Sequence, residues 1–192
     1  VPQGEGGMAA ILGLDDDTVA SVCESVQSPG IVEPVNLNAP GQVVIAGNAE
    51  AVQEALSLAR EAGARRAVEL PVSVPAHSSL MKEAAEALAL AFEETDFGQP
   101  RIPVIHNVDA APHPDISDIR DALRRQLYNP VRWTESVAAL QSAGCDFMVE
   151  LGPGKVLAGL ARRIDRRLTA MPVEDPDTLA RALENCSGGA NA

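Results

Sequence analysis

Among the side chains able to carry chemistry, His77 has the most suggestive setting. It lies in Leu70-Pro-Val-Ser-Val-Pro-Ala-His77-Ser-Ser-Leu-Met81, an apolar run followed by a proline-stiffened corner and a helical pattern. A neutral imidazole, with a reference pKa of ~6.5, is a competent base near pH 7. Placed at the mouth of an α/β sheet, such a base could activate a nucleophile. The same position also suits a histidine that caps, packs or is merely exposed. Asn36 and Asn38 stand two apart on an expected strand and therefore share a face, and as turn-proximal amides they could make local bonds. Gly152-Pro-Gly154-Lys155 lacks the G-x-x-x-x-G-K-S/T spacing of a phosphate loop and reads as a tight strand-to-helix turn. His106 and His113 have no carboxylates or cysteines at ligand spacing, so no metal site is expected. Cys23, Cys145 and Cys186 are far apart and read as reduced thiols. No G-x-S-x-G nucleophile elbow occurs in the sequence.

The elements that must position these residues follow from periodicity and breakers. Residues 8–14 form an apolar strand, and Asp15, Asp16 or Asp17 caps a helix with Val19, Ala20, Cys23 and Val26 on its buried stripe. Residues 31–38 and 42–46 read as a hairpin around Ala39-Pro-Gly41. A second helix opens near Asn48, carries Val52, Ala55, Leu56 and Ala59, and stops at Gly63. Residues 67–74 close the set as a strand, with Leu70 to Val74 mostly buried. This β-α-β-β-α-β order is the ferredoxin-like split motif, complete within residues 7–74.

Pro75 should end that last strand, and Ser78 or Ser79 should cap a helix reaching about Glu94, with Leu80, Ala84, Ala87, Leu88, Ala91 and Phe92 on one face. Residues 102–108 read as a buried strand. A helix capped by Asp115 or Ser117 follows and is broken at Pro130. Helix from Thr134, strand 146–151, helix 155–167, strand 168–173 and helix 177–186 complete the chain as part of a parallel α/β layer. The expected organisation is therefore α/β: linker 1–6, ferredoxin-like subdomain 7–74, partial α/β hydrolase-like layer 75–186 and a disordered tail 187–192.

With 192 residues, 46% hydrophobic and 22% charged, the composition suits a globular protein with an aliphatic core. A net charge of −12 argues against nucleic acid as a partner. Arg65-Arg66, Arg124-Arg125, Arg162-Arg163 and Arg166-Arg167 are local basic pairs that fit either a solvated helix face or a patch meeting phosphate or an acidic partner. No apolar run reaches the ~20 residues of a bilayer span, and the expectation is a cytoplasmic protein without membrane contact. The opening Val1-Pro-Gln-Gly-Glu-Gly-Gly7 lacks an initiator Met and reads as linker or mid-chain turn.

Four stretches carry a resemblance. Val35-Asn-Leu-Asn-Ala-Pro-Gly-Gln-Val-Val-Ile-Ala-Gly47, Leu70-Pro-Val-Ser-Val-Pro-Ala-His77, Gln126-Leu-Tyr-Asn-Pro-Val-Arg-Trp133 and Glu150-Leu-Gly-Pro-Gly-Lys-Val-Leu157 resemble, in order and spacing, the malonyl-CoA:acyl-carrier-protein transacylases of bacterial fatty acid synthesis. The resemblance implies that His77 is the base for an acylated serine, oriented by the backbone carbonyl of Gln126. It also implies that Asn36, Asn38, Arg66, Val72 and Arg162 bind substrate, that malonyl-CoA is a substrate rather than a bound cofactor, and that acyl carrier protein is a partner. Val74-Pro75-Ala76 before the histidine resembles the malonyl-specific enzymes.

The family's Gly-His-Ser-x-Gly elbow, its malonyl-pairing arginine and its early Gly-Gln-Gly segment have no match here. The expectation is thus the C-terminal two-thirds of such an enzyme, inactive alone, with the nucleophile on a missing segment or separate chain. The competing expectation is a non-catalytic ferredoxin-like binding module fused to a partial α/β domain.

Overall fold

The structure, a computed structural model, describes residues 5–188. The protein is mixed α/β and divides into two compact units, one ending at Ser136 and the other beginning at Val137.

The first unit is built on strands β1 (Gly6–Leu12), β2 (Val32–Ala39), β3 (Gln42–Asn48) and β4 (Arg66–Glu69), with helices α1 (Asp16–Glu24) and α2 (Ala49–Glu61) in the crossovers. The sheet is antiparallel throughout, in the order β2-β3-β1-β4. Alternation along β3 sends Val43 and Ile45 to one face and Val44 and Ala46 to the other. On the first face Ile11, Val43 and Ile45 meet Val19 and Val22 of α1 and Val52, Ala55 and Leu56 of α2. Full burial of each aliphatic side chain contributes about 1.5–3 kcal/mol. The opposite face gathers Met8, Val35, Val44 and Ala46, against which Ala10, Leu70 and Ala76 pack. The segment leading to His77 therefore packs on the sheet face opposite α1 and α2.

Two expected strands are cut short. β4 stops at Glu69, and after one further bond from Leu70 N to Met8 O the chain leaves the sheet. Val72 and Val74 are then 45% and 51% exposed rather than buried. Pro71 and Pro75 cannot donate to a ladder, so the β-branched run between them has no register to extend. Likewise residues 102–108 yield only β5 (Ile105–His106), paired antiparallel with β6 (Ala111–Pro112), while Ile102 and Val104 stay exposed beside Pro103.

The helix after His77 begins as a 3-10 turn, Ser79–Met81, and becomes α3 only at Lys82–Glu93. Of α3 only Ala85 is buried; Ala84, Ala87 and Ala91, expected on the inner stripe, are exposed. Helix α4 (Ile116–Gln126) ends ahead of Pro130, and α5 spans Trp133–Ser142.

In the second unit β7 (Phe147–Leu151) and β8 (Thr169–Val173) run parallel, joined through α6 (Val156–Ile164) and followed by α7 (Pro176–Gly188). Ala158 and Ala161 of α6 pack on Ala170 and Met148. Gly6, expected in the linker, opens β1, and Ser187 and Gly188, expected in the tail, close α7. Residues 1–4 and 189–192 of those expected segments lie outside the described residues.

Candidate active site

His77 occupies a backbone conformation that few side chains adopt, with φ +65°. Three sets of contacts surround it. Ahead of it, Ala76 N bonds Val74 O, and buried Pro75 presses against Gly6 so closely that a Cβ on Gly6 would lie 2.6 Å from both Pro75 Cδ and Ser73 O. Behind it, buried Ser78 donates its hydroxyl to Pro75 O, and Ser79 donates both its N–H (2.7 Å) and its hydroxyl (2.8 Å) to the carboxylate of Glu33 on β2. Across from it, the His77 N–H donates to Leu127 O at 3.0 Å, and ring Nδ1 lies 2.7 Å from Gln126 O.

A carbonyl oxygen can only accept, so Nδ1 carries a proton, and in the neutral ring Nε2 is the nitrogen with the lone pair. The contact thereby selects the Nδ1–H tautomer of the neutral ring.

The Gln126 carbonyl is itself fastened from two sides. The Gln126 amide donates to Asn129 O, and the Asn129 amide returns to Arg125 O, which closes the turn after α4. Five residues beyond Gln126, Val131 bonds β2 in parallel fashion, accepting from Leu37 N and donating to Val35 O. Strand β2 thus holds segments on both sides of the contact, Ser79 through Glu33 and Val131 through Val35 and Leu37.

The other residues singled out in the sequence fare differently. Asn36 sits opposite Val44 and beside Val131, so it shares the face of Met8 and Ala76. A register shift between Leu37 and Ala39 falls at Asn38, which removes the strict alternation that would have aligned it with Asn36. Val72 lies in the exposed approach to His77. Arg66 is opposite Leu12, at the end of β1 remote from Gly6; six residues of extended strand, about 20 Å, separate the two ends. Arg162 belongs to the second unit, where its guanidinium donates to Ala170 O of β8.

Arg124 and Arg125 are engaged in ion pairs, the first with Glu86 and Asp121, the second with Asp109 and Asp121. They are not a free basic patch. The N-terminus of α6, after Gly152-Pro-Gly154, is filled by the Glu150 carboxylate, which accepts from Leu157 N and Ala158 N. A carboxylate there opposes a phosphate. His106 and His113 are tilted together with ring centroids 5.1 Å apart, and His113 meets Asp109. Burial, then the neighbouring His113, hold His106 below its ordinary pKa. Among the described residues no group of three His, Cys, Asp or Glu side chains is placed to hold a metal ion, and no helix is long and apolar enough to cross a membrane.

Sequence reasoning missed Glu33, the Leu127 carbonyl and Gly6. Glu33 left one trace, a carboxylate within an otherwise apolar and amide strand; a backbone carbonyl leaves none.

The histidine corner stands on a mixed α/β scaffold, and residues 2–175 match the acyl transferase domain family. The chain belongs to that family. It is 51% identical over 183 residues to the malonyl CoA-acyl carrier protein transacylase of Salmonella typhimurium, covering 95% of this chain and 59% of that protein. Among solved structures, a malonyl-transacylase in complex with its type II PKS acyl-carrier protein matches with TM-score 0.94 at 50% identity, over 96% of this chain and 60% of that one. The malonyl-CoA:acyl carrier protein transacylase of Xanthomonas oryzae pv. oryzae matches with TM-score 0.94 at 48% identity, over 96% and 59%. The chain thus spans about three-fifths of the length of the relatives it matches.

Proposed function

We propose that this chain is the C-terminal portion of an acyltransferase that moves malonyl from CoA to the phosphopantetheine thiol of acyl carrier protein, and that His77 is its general base. The observation that carries this reading is the imidazole whose Nδ1 lies 2.7 Å from Gln126 O, so that in the neutral ring the lone pair falls on Nε2. In the proposed reaction a serine Oγ bonds the malonyl thioester carbon as its proton passes to Nε2. Collapse breaks the C–S bond, and the imidazolium returns the proton to the departing CoA thiolate. In the second half the pantetheine thiol gives its proton to Nε2 and attacks the serine ester, and the serine leaves as it regains that proton. Orientation by a carbonyl holds the ring without adding a negative charge beside it.

The serine is assigned to a segment outside this sequence or to a separate polypeptide, since no G-x-S-x-G occurs here. Residues 7–74 are read as a ferredoxin-like subdomain beside a partial α/β hydrolase-like layer. Asn36 and Val72 border the acyl cleft in this reading, and Asn38 contributes from the bulge. Only the resemblance extends the reading to Arg66 and Arg162, as residues that would meet phosphates of CoA or the carrier.

Intact-mass spectrometry after incubation with malonyl-CoA tests the proposal. The chain alone should gain no acyl group. Paired with a polypeptide carrying the family's serine elbow, that partner should gain one malonyl, and His77→Ala should slow its uptake by about 100- to 10,000-fold. Malonyl appearing on this chain alone, or uptake indifferent to His77, would overturn it.

A further inference from the structure

We infer that Glu33 is a positioning residue for His77: its carboxylate, by gripping Ser79, holds the corner in the conformation that keeps Nδ1 on the Gln126 carbonyl. The inference rests on the reading of His77 as a base.

The argument starts from the backbone. A non-glycine residue at φ +65° persists only where its surroundings over-determine it. The residues before His77 are fixed by close contact with Gly6, and His77 itself by the Leu127 carbonyl. On the following side the 3-10 turn is three residues long and has no side-chain cap of its own from Ser78, whose hydroxyl is turned back to Pro75 O. Short 3-10 turns are weak, and their first N–H groups lack internal partners.

Glu33 supplies what is missing. It accepts the Ser79 N–H and the Ser79 hydroxyl on its two oxygens, from a strand 46 residues away in sequence. Carboxylate hydrogen bonds of this kind are about twice as strong as neutral ones. Glu33 stands opposite Ala46, on the sheet face where Ala76 packs, so the grip is anchored in the sheet. Val35 and Leu37 of the same strand hold Val131 and, through that turn, the Gln126 carbonyl. Histidine and carbonyl are thus referenced to one strand, and Glu33 is the side-chain half of that mount.

The readout is the histidine ring, by long-range ¹H–¹⁵N NMR of the intact chain near pH 8. The native chain should show His77 with one protonated nitrogen, Nδ1, and one unprotonated nitrogen, Nε2. Glu33→Ala should let the ring exchange between tautomers, so that the two nitrogen shifts move toward each other. Glu33→Gln should restore the separation, because its carbonyl can accept the Ser79 N–H while its amide donates to the hydroxyl oxygen.

Asp15→Ala, which removes the cap of α1 on the other side of the sheet, serves as the control for general loosening and should leave the ring unchanged. A folded Glu33→Ala chain with separated nitrogen shifts, or equal averaging in Asp15→Ala, would overturn the inference. If Glu33→Ala does not fold, Ser79→Ala takes its place: partial averaging supports the role and an unchanged ring overturns it. The ring signal needs no acyl transfer, so failure of the malonyl experiment and failure of this one are distinguishable.

Discussion

At φ +65° the Cβ of His77 crowds its own carbonyl, which costs an ordinary L-residue about 1–2 kcal/mol. Asparagine tolerates that region several-fold better than a β-branched residue does. His77→Asn should therefore stay within about 1 kcal/mol of the native chain in urea unfolding, while His77→Val should fall further by about 1–2 kcal/mol. Cys23 gives a second residue-level expectation. Burial first, then the carboxylates of Glu33 and Glu24, push its thiol from 9.0 up to about 12. The unfolded chain ionises first, so stability is fully present below about pH 9. It then falls between 9 and 12 by up to about 1.4 kcal/mol per pH unit for this one group. Urea midpoints of native and Cys23→Ala chains across that range would show it as a steeper alkaline decline in the native chain. In a thiol titration at pH 8, exposed Cys145 and Cys186 should react and buried Cys23 should wait for denaturant.

Between elements, the contact of β1 with the histidine corner is the tightest constraint. A Cβ on Gly6 would meet Pro75 and the Ser73 carbonyl at 2.6 Å, whereas one on Gly7 would find nothing nearer than 3.7 Å. Gly6→Ala should cost about 1–3 kcal/mol and shift the amide signals of residues 72–78, and Gly7→Ala should be near neutral. A denaturation curve for Gly6→Ala that overlays the native one would contradict this. The same corner marks where the sequence stops being readable. The alternation in β3, the stripe of α2 and the Gly63 stop are local signals, and the elements formed there. Val72, Val74, Ile102 and Val104 carry the same β-branched chemistry. Strand pairing, however, depends on a neighbouring edge and free donors, which the interleaved prolines remove. The corner at His77 was legible because the proline before it is a local signal. Its partner Gln126 O was reachable only through resemblance, and Glu33 not at all, because a grip across 46 residues has no sequence period.

Across the whole chain, the two compact units differ in what holds them. In the first, β1 and β3 are each flanked by two strands, and Ala9, Ile11, Val43 and Ile45 are fully buried beneath two helices. In the second, a two-stranded parallel pair packs on a smaller set of buried residues, Ala158, Leu160, Ala161, Leu168, Ala170 and Ala182, and Leu151, Val156 and Leu183 are mostly exposed. Parallel pairs are ordinarily covered on both faces, and a two-stranded sheet is marginal without further support. Amide hydrogens exchange through the cheapest opening available to them. Those of β1 and β3 should therefore exchange only through global unfolding of their unit, with rates that track the urea-measured stability. Those of β7 and β8 should exchange faster, through an opening that leaves β1 to β4 protected. Adding a small amount of urea, well below the midpoint, should narrow the gap, since only global unfolding has the larger denaturant dependence. Equal protection of β8 and β1 at all urea concentrations would mean instead that the described chain unfolds as one cooperative body. Faster exchange confined to β7, β8 and α6 would mean that the His77 corner, which the first unit carries with the Gln126 carbonyl, keeps its geometry while the second opens.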